Sequence, residues 1–99
     1  LPKIEEEVEI ELVLESPQMY RVILHNDDYT SMDFVVMILT NIFHKNHKEA
    51  EVLMITIHEK GSAICGVYTY EIAQTKAEQV KKLAKQNEFP LLATIEEDN

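Results

Sequence analysis

Only two glycines, Gly61 and Gly66, occur in this chain of 99 residues. A glycine-rich loop that cradles phosphate is therefore excluded. One cysteine, Cys65, leaves no partner for an internal disulfide, which fits a reducing compartment. The sequence Ile64-Cys65-Gly66 holds no group that would lower the thiol pKa, so a buried, inert side chain is expected. No serine elbow and no Cys–His pair points to nucleophilic catalysis. Bases are scarce: 9 against 18 acids, for a formal net charge of −9. That balance argues against nucleic acid as the main partner, because phosphate binding needs a clustered basic face. Lys81, Lys82 and Lys85 do gather locally, and read as a solvated helix face. No apolar run approaches the ~20 residues that span a bilayer. The acidic start carries no visible signal peptide. The expectation is a soluble cytoplasmic protein, free of membrane and of cofactor.

What is present is enough for one folded domain. The length suits a single core, and a hydrophobic content of 45% supports folding over disorder. Residues 1–18 stand apart. There Glu5, Glu6, Glu7, Glu9, Glu11 and Glu15 face a single base, Lys3. Val8-Glu9-Ile10-Glu11-Leu12 alternates at period two, the pattern of a strand. So many acids gain little by folding alone, so the region reads as a flexible acidic extension rather than an edge strand. Pro17 disfavours helix at Ser16 and closes it.

Residues 19–99 read as the folded core, with six elements. A strand is expected over 19–25 and a helix over 31–43, with Thr30 as N-cap and Asp33 three residues on. Phe34, Val35, Ile38, Leu39 and Ile42 repeat at helical spacing. A second helix over 48–59 places Ala50, Leu53, Met54 and Ile57 along one side and ends at Gly61. Its Ile55-Thr56-Ile57 run is β-branched, which weakens the helical signal. A strand over 63–68 follows, then a helix from Thr69 or Tyr70 to Asn87. Ile72, Ala73, Val80, Leu83 and Ala84 form its buried side. Phe89-Pro90 breaks that helix, and a last strand covers 91–95. The order β-α-α-β-α-β predicts an α+β two-layer sandwich, a three-stranded antiparallel sheet with three helices on one face.

The chemistry gathers in Asn26-Asp27-Asp28-Tyr29-Thr30, where a strand stops and a helix starts. Their oxygens are acceptors suited to a small cation or an ammonium group. No lysine or arginine lies between Arg21 and Lys45 to neutralise them. Two readings stand side by side: a turn and cap cluster bonding its own backbone, or a binding site whose apolar wall is Met32 and Val35. His58, next to Ile57, would reach this place if the two helices pack side by side. Met32, Met37 and Met54 suit either core packing or an adaptable pocket. A metal-dependent hydrolase using Asp27, Asp28 and His58 is a further alternative, although no metal-ligand spacing supports it.

Several separated segments resemble one family. They are Tyr20-Arg21-Val22, Asn26-Asp27-Asp28-Tyr29-Thr30, Leu53-Met54 with His58, Ala63-Ile64-Cys65-Gly66-Val67, Glu71-Ile72-Ala73-Gln74-Thr75-Lys76 and Pro90-Leu91. Over about residues 19–96 they resemble ClpS, the adaptor that recognises N-terminal degradation signals for the ClpA/ClpP protease. The resemblance implies an N-recognin, not an enzyme, for substrates whose first residue is Leu, Phe, Tyr or Trp. By matching position it implies that Asn26, Asp27 and His58 hold the α-amino group. Thr30, Met32, Val35, Met54, Ile57 and Leu91 would line the side-chain pocket. Glu71 and Lys76 would lie on the face docking a ClpA-type unfoldase, and the acidic extension would serve handover. A monomer is expected. Ser31 stands where the family usually has proline, and Ile57 where valine is commoner.

Overall fold

In the computed structural model the described residues are 16–99. The alternating Val8–Leu12 stretch, and with it most of the expected extension, lies outside them. The elements are β1 (Met19–His25), α1 (Met32–Asn41), α2 (His47–Lys60), β2 (Ser62–Thr69), α3 (Tyr70–Gln86) and β3 (Leu92–Glu97). The three strands form one antiparallel sheet in the order β2-β1-β3. The expected β-α-α-β-α-β sandwich is therefore the fold observed.

The middle strand β1 alternates as a half-buried strand should. Val22 and Leu24 are fully buried while Arg21 and Ile23 are not. Onto its apolar face pack Phe34, Val35, Ile38 and Leu39 of α1, Ala50 and Ile57 of α2, and Ala73, Val80 and Ala84 of α3. Phe34 and Phe89 meet in this core with ring centroids 4.8 Å apart. The register of β1 against β2 shifts between Val22 and Ile23, so that Cys65 is the extra residue of a bulge. Next to it, a Cβ at Gly66 would meet the Tyr68 hydroxyl and ring, so a larger residue there would require the Tyr68 side chain to move.

Three expectations are corrected. The N-cap of α1 is Ser31, not Thr30: its Oγ accepts from Phe34 N–H at 3.1 Å. The Thr30 hydroxyl is drawn instead to Asp27. The same helix stops at Asn41, short of Phe43. His44 then adopts a left-handed φ of 55°, and Lys45 N–H returns to the Leu39 carbonyl at 3.0 Å. Ile72 is half exposed (50%) rather than on the buried side of α3. The core stripe runs through Ala73, Val80 and Ala84, and Ile72 lies one residue, about 100° of helix rotation, away from it.

The β-branched run Ile55-Thr56-Ile57 is helical after all. Thr56 Oγ donates to the Val52 carbonyl at 2.9 Å, and Ile57 is buried, so tertiary packing overrides propensity. Gly61 closes α2 with φ 93°, a left-handed conformation that glycine adopts without strain. No helix among the described residues is long and apolar enough to cross a membrane.

Candidate functional site

One backbone hydrogen bond brings the site together. Asn26 N–H donates to the Gly61 carbonyl at 2.8 Å, which pins the end of β1 to the end of α2. His58, in the last turn of α2, is thereby placed beside the Asn26–Asp28 run. The start of α1 closes the third side. Between them lies a cavity of about 250 Å³. Its walls are Asn26, Asp27, Asp28, Thr30, Met32, Val35, Met54, Ile57 and His58.

Asp27 organises the turn that leads into α1. Its Oδ1 accepts from Tyr29 N–H at 2.8 Å and from Thr30 N–H at 2.6 Å. Its Oδ2 accepts from the Thr30 hydroxyl at 2.7 Å. Partial burial works to raise the carboxyl pKa. The bonds from Thr30 N–H, the Thr30 hydroxyl and Tyr29 N–H outweigh it and hold the pKa below the usual value of 3.8. Asp27 is thus a fixed negative charge at the cavity wall, with most of its lone pairs already engaged. The turn-and-cap reading of this cluster describes what Asp27 does within the fold. The binding-site reading concerns the polar capacity left over.

That capacity is real. Among the described residues, the side chains of Asn26, Asp28 and His58 make no hydrogen bond and no ion pair. All three are exposed and border the cavity. Asp28 had no assigned role by resemblance, although it continues the Asn26–Asp27 acceptor run. The apolar side is graded. Ile57 and Val35 are buried and form the floor, Met54 is half buried, and Met32 is half exposed at the mouth. A polar, net-negative rim above an aliphatic and thioether floor suits a ligand with a cationic end and an apolar end.

Eight residues expected at the site come together here: Asn26, Asp27, Thr30, Met32, Val35, Met54, Ile57 and His58. Leu91 does not line the cavity. It is buried in the core cluster that contains Val35 and Ile57, and it borders a separate groove between α3 and β3. Leu91 is thus packed inside the core rather than at the cavity wall. Glu71 and Lys76 lie on α3, which contributes no residue to the cavity wall. Glu71 is exposed. Lys76 is half buried, donates from Nζ to the Ile42 carbonyl at 2.7 Å, and lies 5.7 Å from the Tyr68 ring centroid.

The metal-dependent hydrolase alternative finds no support. Asp27 spends its oxygens on the turn, and the described residues hold no group of three or more His, Cys, Asp or Glu side chains placed to bind a metal ion. Cys65 is buried and its thiol is pushed up to about 11 by that burial, so it is not a nucleophile for the site. A larger hollow along α3, of about 880 Å³, is an open stretch of helix surface lined by Glu, Gln, Thr and Lys side chains.

Comparison with known proteins identifies a family and a shared fold. Residues 15–94 match the family described as the ATP-dependent Clp protease adaptor protein ClpS. An adapter protein ClpS from Syntrophus aciditrophicus is 58% identical over 81 residues, covering 82% of this chain and 76% of that protein. Its counterpart from Shewanella piezotolerans is 53% identical over 94 residues, covering 95% of this chain and 90% of that one. Among solved structures, Agrobacterium tumefaciens ClpS2 bound to L-phenylalaninamide is similar, with a TM-score of 0.80 and 39% identity. The likeness covers 83% of this chain and 99% of that one.

Proposed function

The chain belongs to the ClpS family of ATP-dependent Clp protease adaptors, and we propose that its cavity holds the N-terminal residue of proteins marked for degradation. The ligands are polypeptides with a free α-amino group and Leu, Phe, Tyr or Trp as first residue. One observation carries this reading: unpaired Asn26, Asp28 and His58 and the charged Asp27 border a cavity floored by Val35, Met54 and Ile57. The bound phenylalaninamide of the similar ClpS2 combines an α-ammonium with an aromatic side chain, the same two chemistries.

The α-ammonium donates to Asn26, to the neutral imidazole of His58 and to the remaining acceptor capacity of Asp27. Asp28 adds negative charge at the mouth. Charge-assisted bonds of this kind are worth ~1.5–3 kcal/mol each. The first side chain enters beneath Met32 and rests on Val35, Met54 and Ile57. Burying a large apolar side chain there adds ~1.5–3 kcal/mol. The adaptor carries out no chemistry of its own. It passes its cargo to a ClpA-type AAA+ unfoldase acting with ClpP, docking through the α3 face that contains Glu71 and Lys76. A monomeric adaptor working in the cytoplasm fits this role.

The test is binding of a labelled peptide series that differs only in residue one, each with a free or an acetylated N-terminus. Leu, Phe, Tyr and Trp peptides should bind, and acetylation should cost at least tenfold in affinity. Equal binding of free and acetylated peptides overturns the reading.

A further inference from the structure

Helix α2 borders two hollows. Met54, Ile57 and His58 line the cavity, whereas Lys48, Glu49, Val52 and Leu53 line a separate groove of about 430 Å³. Lys45, Asn46 and Ile64 of β2 complete that groove. Val52 and Ile64 are exposed, and Leu53 is half buried. β2 is an edge of the sheet, and an edge strand presents unpaired N–H and C=O groups to an extended segment beside it. Its own sequence, Ser62–Thr69, contains no charged residue.

The charge here runs against that of the whole molecule. The chain carries a net −9, yet no acid occurs from Phe34 to Lys48. The side chains of Lys45 and Lys48 make no ion pair and no hydrogen bond among the described residues. Lys48 is exposed, and Lys45 stands close enough to β2 for its charge to act on the Cys65 thiol. Glu49 is the one carboxylate that borders the groove. Glu51, one turn on from His47, is engaged with that imidazole at 2.9 Å.

We infer that this groove docks an extended segment of a partner protein in which an aliphatic side chain is flanked by carboxylates. The aliphatic group fills the space between Val52, Leu53 and Ile64. The carboxylates meet Lys45 and Lys48 in charge-assisted bonds, and the backbone lies along the open edge of β2. The bulge at Cys65 interrupts the regular ladder, so the pairing is short and centred on Ile64. Lysines near a sheet edge also keep it in water, but that use needs no apolar residues between them. At physiological salt the Debye length is ~8 Å. A short peptide therefore meets the two lysines rather than the net charge of the chain. A polyanion or an anionic membrane covers more of the molecule and meets its excess acid. A second copy sets −9 against −9 and is the weaker occupant.

The experiment titrates the full chain into the peptide acetyl-Glu-Glu-Ile-Glu-Glu, labelled with a fluorophore at its C-terminus. Acetylation removes the ammonium that the cavity would require. The peptide should bind, and replacing its glutamates by lysines or its isoleucine by serine should weaken binding at least tenfold. K45E/K48E should cost at least tenfold, and Val52→Ser, at an exposed position, severalfold. Neither lysine lines the cavity, so K45E/K48E should keep the wild-type affinity for a free Leu peptide and the wild-type Tm. Amide shifts should fall within Lys45–Leu53 and at Ile64. No binding at millimolar peptide overturns the inference. So does binding that is unchanged in K45E/K48E, or shifts confined to Asn26, Thr30 and His58. Self-association of the full chain that disappears in K45E/K48E assigns the groove to a second copy and overturns it too. Failure of the free Leu peptide to bind any of these proteins strikes the cavity reading alone.

Discussion

Lys76 and Ile42 are joined by a hydrogen bond across 34 residues of sequence, Nζ donating to the carbonyl at 2.7 Å. Ile42 caps the C-terminus of α1, a helix with no base in its own last turn. The ammonium from α3 therefore supplies the positive charge that a helix C-terminus favours. Lys76→Met should destabilise the fold by ~1–3 kcal/mol, the scale for losing a charged hydrogen bond to a half-buried carbonyl. For a domain of this size that is roughly 4–8 °C in Tm per kcal/mol. Lys76→Arg should recover part of it. Glu71→Ala, on an exposed side chain without partners, should weaken unfoldase docking and leave Tm unchanged. Equal melting of wild type and Lys76→Met would show that the contact contributes nothing.

Asp27 gives a pH prediction with a definite sign. Its folded-state pKa is depressed below 3.8 by Thr30 and Tyr29. Its contribution to stability is therefore full above the unfolded-state value and lost as pH falls through the folded one. Asp27→Asn should be less stable than wild type at neutral pH, and the gap should close on acidification below about pH 4. Thermal melts across that range decide it. A gap that widens on acidification would contradict the hydrogen-bonded carboxylate.

The role proposed for His58 is to accept a hydrogen bond from the ammonium. His58→Ala should bind a Leu peptide less tightly, by the ~1.5–3 kcal/mol of a charge-assisted hydrogen bond, without a comparable loss in Tm. Unchanged affinity in His58→Ala would rule this role out.

Met32 is half exposed at the cavity mouth, whereas Val35 and Ile57 behind it are buried. Side chains branched at Cβ are widest at the mouth, where Met32 crowds them. Met32→Ala should therefore admit Ile and Val as first residues and bind Leu less tightly through lost contacts. Competition with Leu and Ile peptides measures the change. An unaltered Leu-to-Ile ratio assigns the discrimination elsewhere.

Much of this was legible before the fold was known, because periodicity and capping are local signals. The strand over 19–25 and the C-terminal glycine of α2 are of that kind. The consecutive Asn26-Asp27-Asp28 pointed to the candidate site, but the same short acceptors read equally as a turn and cap cluster, the use Asp27 makes of its oxygens. Other features depend on contacts that no local pattern contains. Thr30 and Ser31 are chemically similar cap residues, and only the bonds to Asp27 and Phe34 assign their roles. Ile72 was misjudged because helical spacing alone does not say which of two adjacent residues faces the sheet. Leu91 lies in the irregular link between α3 and β3, where its direction depends on the packing of those two elements. The Lys76–Ile42 bond links two helices that share no sequence signal.

Binding and delivery should separate along the chain. The cavity is built from residues 26–58, whereas residues 1–17 hold six of the acids and end at Pro17. Deleting 1–17 should leave peptide affinity within about 0.5 kcal/mol, the usual scale for changes away from a site. In the proposed delivery, the acidic segment before Pro17 is what the unfoldase grips during handover, without disturbing the cavity. The truncated protein should therefore bind both peptide and unfoldase yet fail to promote degradation of a Leu-tagged substrate. Degradation at the full rate by the truncated protein removes the delivery role. Loss of peptide binding on truncation would instead make the Val8–Leu12 stretch part of the structure that supports the cavity.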